Sequence, residues 1–311
     1  MKSKLLIRSF LATSWVVVVT LALAISQTQA FGDPPQAEGN NGDGPPLLDV
    51  KIDTSFTSAG EAEFRGTQFG DSDAFNYNFS AMTLMPLSEH WMLPFQIESQ
   101  NVSLGSLAGV PMPDSIHMME IGSGLAYQPN DRWMWMARIN AQFYKFEDFG
   151  SDDLGFSGGL MVEWQYSQSM KWVFGLMYQP NNSMPVIPLI GGEWQINDAW
   201  QLLLTFPQPR LVYSPDDQWR FHVGMDLILG TTFRTTDTFG TEMGMPKFNG
   251  QIGSYSDTRI GTGIGYQLSK ALSIEAEGGM SMGRSIEYED IDETVEFDAA
   301  PYFRLGLRYE F

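Results

Sequence analysis

The chain has 311 residues with 18 Lys+Arg against 37 Asp+Glu, a formal charge of −19, and no cysteine. The acid excess excludes nucleic acid as a partner, and the missing thiols exclude disulfide staples, thiolate metal sites and a Cys nucleophile. With 31 glycines, 13% aromatics and, past the N-terminus, no run approaching the roughly 20 apolar residues of a membrane helix, the composition points to an all-β protein.

Lys2, Lys4 and Arg8 precede an apolar run from Leu11 to Ile25, followed by Thr28, Gln29 and Ala30. A basic start, a short apolar stretch and a small-x-small site predict a signal peptide over residues 1–30, in preference to a membrane anchor, with cleavage after Ala24 as a variant. Residues 31–47 begin FGDPPQAEGNNGDGPP, have no periodicity, and read as a flexible leader. Residues 48–311 then form the structural domain.

From there a punctuation recurs: LSEHW at 87–91, YQPNDRW at 127–133, YSQSMKW at 166–172, INDAW at 196–200, YSPDDQW at 213–219 and YQLSKAL at 266–272. Most are short polar turns entered by Tyr and left by Trp. Amphipathic rings favour a membrane–water interface, so these turns predict one rim of a membrane protein. The alternative is a soluble sandwich whose turns collect Asn, Asp and Ser and whose strands collect aromatics.

Between the turns the pattern alternates with period 2. Trp133, Trp135, Ala137, Ile139, Ala141 and Phe143 share one face, opposite Arg132, Met134, Met136, Arg138, Asn140 and Gln142; Phe156, Leu160, Val162, Trp164 and Tyr166 oppose Ser157, Met161, Glu163 and Gln165; Trp219, Phe221, Val223, Met225 and Leu227 oppose Arg220, His222, Gly224 and Asp226. The strands predicted in this way span 49–57, 74–86, 91–103, 115–127, 132–146, 153–166, 171–180, 186–196, 199–206, 209–214, 218–232, 256–268, 271–286 and 299–311. Most exceed the roughly 9–11 residues of a membrane-crossing strand. An even count of fourteen, with both barrel ends on the short-turn side, predicts a transmembrane antiparallel up-and-down β-barrel. Pro94, Pro188 and the PQP at 207–209 sit badly in strands, which leaves twelve as the alternative.

The acidic run EYEDIDETVEFD at 287–298 is expected to be a solvated outer loop. Asp290, Asp292 and Glu293 there lack the glycine and spacing of a calcium loop, and no metal site is expected. The last segment, YFRLGLRYEF, alternates Phe303, Leu305, Leu307, Tyr309 and Phe311 with Arg304, Gly306, Arg308 and Glu310.

That final pattern resembles the last strand of bacterial outer-membrane β-barrel proteins, in which alternating apolar residues end in a C-terminal Phe. The resemblance implies a Gram-negative-type outer-membrane location, an insertion signal carried by Phe303, Leu305, Leu307, Tyr309 and Phe311, and, as partners, the barrel-insertion machinery, outer-membrane lipid and lipopolysaccharide. The strand number is similar to that of fatty-acid and aromatic-compound channels and of small porins. Residues 31–47 are shorter than the N-terminal hatch of the former, and an uncharacterised barrel family fits equally.

Inside such a barrel the opposite parity faces the lumen. It supplies the pore-lining candidates Glu120, Arg138, Glu163, Asp226, Arg259, Glu275, Glu277, Arg304 and Arg308, with Glu98, Glu193, Arg132 and Arg220 beside them. They read either as the selectivity lining of an aqueous pore or as an internal salt-bridge ladder. Met82, Leu84, Met118, Met134, Met136, Met161, Met177, Ile187, Leu189 and Leu203 also point inward, which favours a partly packed lumen over a greasy path. Ser115 and His117 are too weak a pair for a lipase, and the glycines of GTGIG at 261–265 read as a thinning of the wall. The expected function is a non-enzymatic passive channel for small solutes, without cofactor. The rivals are a closed structural or surface-interaction barrel and, at a distance, a lipid-hydrolysing barrel.

Overall fold

The alternation is realised as strands throughout. The computed structural model describes residues 48–144, 153–180, 185–204 and 206–310; the expected signal peptide, the leader and Phe311 lie outside them. The strands are β1 (Leu48–Phe64), β2 (Thr67–Pro86), β3 (Trp91–Leu104), β4 (Ser115–Asn130), β5 (Trp133–Phe143), β6 (Leu154–Ser167), β7 (Met170–Tyr178), β8 (Val186–Gln195), β9 (Trp200–Leu203), β10 (Arg210–Tyr213), β11 (Trp219–Arg234), β12 (Ile252–Gln267), β13 (Leu272–Tyr288), β14 (Glu293–Phe297) and β15 (Ala300–Glu310). Among the described residues, no helix is long and apolar enough to cross a membrane.

Every consecutive pair from β1 to β13 is antiparallel, and β15 runs against both β13 and β1. β14 also lies between β13 and β1, directly beyond β15. The two therefore share one position in the wall, and the sheet closes as a fourteen-stranded up-and-down barrel. Closure at this seam answers a physical need, because a strand edge left unpaired in hydrocarbon is costly. The last strand meets the first along nine positions, from Asp49 opposite Glu310 to Thr57 opposite Tyr302.

The polar turns are held by their own side chains. Asn197 Oδ1 accepts from the Ala199 and Trp200 amides, Asp216 Oδ1 from Gln218 and Trp219, and Ser269 Oγ from Ala271 and Leu272. These Asx and Ser turns explain why Asn, Asp and Ser recur two or three residues before the next strand. The rings beside them pair across strands: Trp91 with Tyr127 at 4.5 Å, Trp133 with Trp164 at 5.5 Å, Trp200 with Tyr213 at 4.7 Å and Trp219 with Tyr266 at 4.6 Å. They make an aromatic girdle at the short-turn end. Between it and the loop end, Leu160, Ile190, Phe303 and Leu305 are more than half exposed on the outer face, the construction of a lipid-facing band.

Three expectations need correction. The run 287–298 is not a solvated loop: β13 continues to Tyr288, one 3₁₀ turn spans Glu289–Ile291, Asp292 takes a left-handed φ of 52°, and β14 resumes the wall. Alternation in the run (Val295 and Phe297 buried, Glu296 exposed) outweighs its charge. The strands expected over 49–57 and 74–86 extend to Phe64 and back to Thr67 and are joined through Arg65 and Gly66, both at positive φ (52° and 73°), a two-residue hairpin of the twist-compatible kind. The strands expected over 199–206 and 209–214 shrink to four residues each, β9 and β10, because Pro207 and Pro209 cannot donate to a ladder. Pro94 and Pro188 are nonetheless accommodated. The β3–β4 ladder skips Leu93 and Pro94, and on the side of β8 away from β7 no described strand lies opposite Pro188.

Candidate functional site: the lumen

At the loop end the lumen is solid. Ala62, Phe64, Ala74, Val102, Leu104, Val110, Met112, Ile116, Phe233, Phe248, Tyr255, Ile286, Tyr288, Val295 and Phe297 form one buried apolar cluster. Its members come from β1–β4, β11–β14 and the loops after β3 and β11. The latter loop carries the single-turn helix α1 (Phe239–Glu242) and a 3₁₀ turn at Pro246–Phe248. The outer half of β11 leans across to pack on β4. Gly230, at φ 76°, and a bulge between Ile228 and Thr231 supply the bend, Thr231 Oγ1 donates to Gln100 Oε1 at 2.8 Å, and Phe233 meets Tyr288 edge-on. Burial of each large side chain contributes about 1.5–3 kcal/mol, so the six aromatic rings alone hold this closure far above thermal opening.

Below the core lies a charged row fixed by strand register. His222 faces Gly263, Gly263 faces Glu277, Glu277 faces Arg304, and Arg304 faces Ser55. A Cβ at Gly263 would strike the His222 ring and one at Gly261 the Tyr302 hydroxyl; the glycines of GTGIG thus thin the wall so that both side chains can lie over β12. Glu277 accepts from His222 Nε2 at 2.9 Å, Arg304 Nη2 at 2.7 Å, the Tyr302 hydroxyl, and Arg210 Nη2 at 3.4 Å. Arg304 also reaches Glu275 and, at 3.7 Å, Asp226, which accepts from Gln208. His222, Glu275 and Glu277 present ligand atoms within 4.8 Å of one another. The arginines already engage both carboxylates, which makes the trio an ion-pair node rather than a cation site.

The other lining candidates are placed around this node. Arg259 sits one layer outward, bound through Nε to Asp257 at 2.7 Å and through Nη1 to Ser55 at 2.9 Å. Arg308 lies at the rim, paired with Asp49 and Glu310, both at 2.8 Å. Glu163 faces Lys171 at 3.6 Å. On the opposite wall Glu120 accepts from Gln142 and Ser157, while Arg138 donates to Gln96. His117 faces Asn101 across β3 and β4, with Ser115 exposed beside it. Arg210, Asp257 and Arg284 are not among the residues that parity selects: each lies where a proline or a bulge breaks the count. Towards the turn rim the node opens on a cavity of about 220 Å³ lined by Lys51, Arg210, Arg220, His222, Glu275 and Arg308 among others.

The wall itself is interrupted. β9 pairs with β8 only at Glu193–Gln195, with Leu204 donating to Gly192, and β10 with β11 only at Phe221–Gly224, extended by bonds from Met225 and Leu227 to Pro209 and Pro207. Beyond these points, on the sides of β8 and β11 that face each other, no strand pairs among the described residues. Met161, Met177, Ile187 and Leu189 line the inner face of β6–β8 beside this break.

A family profile described as "Domain of unknown function (DUF6268)" matches residues 88–310. No curated protein matches the sequence. Among solved structures, similarity is found to a FadL homologue of Pseudomonas aeruginosa (10% identity, 85% of this chain and 90% of that one, TM-score 0.47), to an outer-membrane channel from Pseudomonas putida F1 (11%, 90% and 100%, 0.44) and to the NanC porin (9%, 84% and 100%, 0.38).

Proposed function

The chain belongs to the family described as Domain of unknown function (DUF6268), which assigns no activity, and from the lumen we propose that it is an outer-membrane barrel for passive passage of small apolar or amphiphilic solutes through the side of its wall. The observation that carries this reading is the break between β8 and β11 above the PQP segment, lined on its inner side by Met177, Ile187 and Leu189. An axial route is disfavoured because the apolar core would have to unpack. Methionine and branched aliphatic side chains suit irregular apolar solutes. The charged candidates, Glu275, Glu277, Arg304 and their neighbours, then serve chiefly as a ladder that stiffens the inner vestibule. The domain plan follows, with residues 1–30 an export signal, 31–47 a leader and 48–311 the barrel, inserted through its terminal strand and surrounded by lipid and lipopolysaccharide.

Uptake of a hydrophobic fluorophore by cells displaying the barrel tests this. Uptake above the empty-vector rate, reduced in Met177→Asp and Leu189→Asp, supports side passage, accompanied by little steady ion conductance in planar bilayers. Uptake equal to the vector control with silent bilayers establishes the rival, a closed structural barrel.

A further inference from the structure

Between the apolar core and the charged node lies a layer that neither explains. Arg284 on β13 is 1% exposed, and among the described residues it has no ion pair. Its Nη2 donates to the Ser72 carbonyl and its guanidinium covers the Phe297 ring at 4.4 Å, but Nε and Nη1 have no protein partner. The same holds for Thr57 Oγ1 and for Arg259 Nη2 and the Tyr255 hydroxyl, which neighbour each other outside ordinary hydrogen-bond geometry, all on residues 3% exposed or less. Tyr255, Asp257, Arg259 and Arg284 lie within electrostatic reach of one another. Register puts Thr57 opposite Tyr302, whose ring faces Arg259 at 5.2 Å, whereas Thr232, paired with Ser254, lies on the other face of the sheet from Tyr255.

Two things are unusual here. Every one of these five atoms can donate a hydrogen bond, and a buried unpaired donor costs about 1–3 kcal/mol. The charge is also unbalanced: among the described residues Asp257 is the acid that acts most on Arg284, and it is already bound by Arg259 and by Ser281 at 2.6 Å. Asp226 below belongs to Arg304, and Asp73, the next acid to act on Arg284, sits on the exposed face of β2. A buried guanidinium without a counter-charge is among the costliest groups a fold can hold. Water would satisfy the donors but leave the charge.

We propose that this layer binds a small inorganic anion, a halide or a compact oxyanion, held by Arg284 and Arg259 with the Tyr255 and Thr57 hydroxyls. The site is closed above by the core and below by the Glu277–Arg304 node, so the anion is a built-in part of the barrel rather than a transported solute, and its presence does not depend on what the wall passes.

The test is unfolding of the refolded barrel in detergent, in chloride, bromide or phosphate against gluconate at constant ionic strength. Above the dissociation constant the folded-to-unfolded ratio should rise about tenfold for each tenfold rise in free anion concentration. Arg284→Met should abolish the dependence and, in gluconate, be at least as stable as wild type because it removes a buried unpaired charge. Should Arg284→Met fail to fold, Tyr255→Phe serves, with a weakened but measurable response. Crystals grown in bromide should show anomalous density beside Arg284. Stability indifferent to anion identity, or an Arg284→Met variant that follows wild type, overturns the proposal and leaves water as the occupant.

Discussion

Glu277 is the residue on which the inner lumen converges, since it takes hydrogen bonds from His222, Tyr302, Arg304 and Arg210. Replacing it by Gln keeps the shape and removes the charge, leaving Arg304 to Glu275 and Asp226 and the His222 ring without its acceptor. Leaving such buried partners unmatched costs about 1–3 kcal/mol, and Glu277→Gln should lose that much in urea unfolding of the refolded barrel, whereas Glu63→Gln, at an exposed position, should lose almost nothing. Outside the membrane, Glu293 makes the converse case. Arg65 Nε donates to it at 3.0 Å and Lys247 pairs with it, and these cations hold its carboxyl down to about 2 from an ordinary 4.5. Because the folded value is depressed, the clasp between the β1–β2 turn, β14 and the Pro246–Phe248 turn is fully present above pH 4.5 and fades as pH falls towards 2. Pepsin should therefore spare residues 239–248 of wild type at pH 4.5 and cut them at pH 2, while Glu293→Gln is cut equally at both.

At the scale of elements, the bend of β11 decides whether the outer lumen is filled. Gly230 is at φ 76°, a conformation that strains any β-branched side chain by about 1–3 kcal/mol. Gly230→Val should loosen the packing of Phe233 on Tyr288 and raise ion conductance in planar bilayers from the near-silence expected of wild type. This bend was not legible beforehand. The alternation of Trp219 to Leu227 predicts a straight strand, and nothing in the residues after it shows that Thr231 will reach Gln100 on the far wall. What alternation did carry is the wall itself, for twelve of the fourteen strand positions are placed to within a few residues by apolar faces such as Trp133 to Phe143. It failed where charge hid a period-2 pattern, as at Glu293–Phe297, or where small residues weakened it, as at Gly60 and Ala62 in the extension of β1. The inner ion pairs were legible by parity, their partners across β12 were not, because register depends on glycines whose purpose is visible only beside His222 and Tyr302.

For the whole molecule, the acid excess, the aromatic girdle and the outward apolar band fit one arrangement: a sheet that meets lipid outside and packs against itself within. It is a barrel filled at its loop end, hollow towards its turns and thin on one side, where two short strands replace full-length ones. The proposed passage through the side, the stiffened vestibule and the proposed internal anion all depend on that inside-out placement of faces. Its most direct test is a nitroxide scan along Tyr302–Tyr309 in the reconstituted barrel, reading collisions with oxygen and with a water-soluble nickel chelate. The account predicts that labels at 303, 305, 307 and 309 are open to oxygen and shielded from nickel, and that those at 302 and 304 are shielded from both; an absence of alternation, or nickel access at 303 and 305, would contradict it.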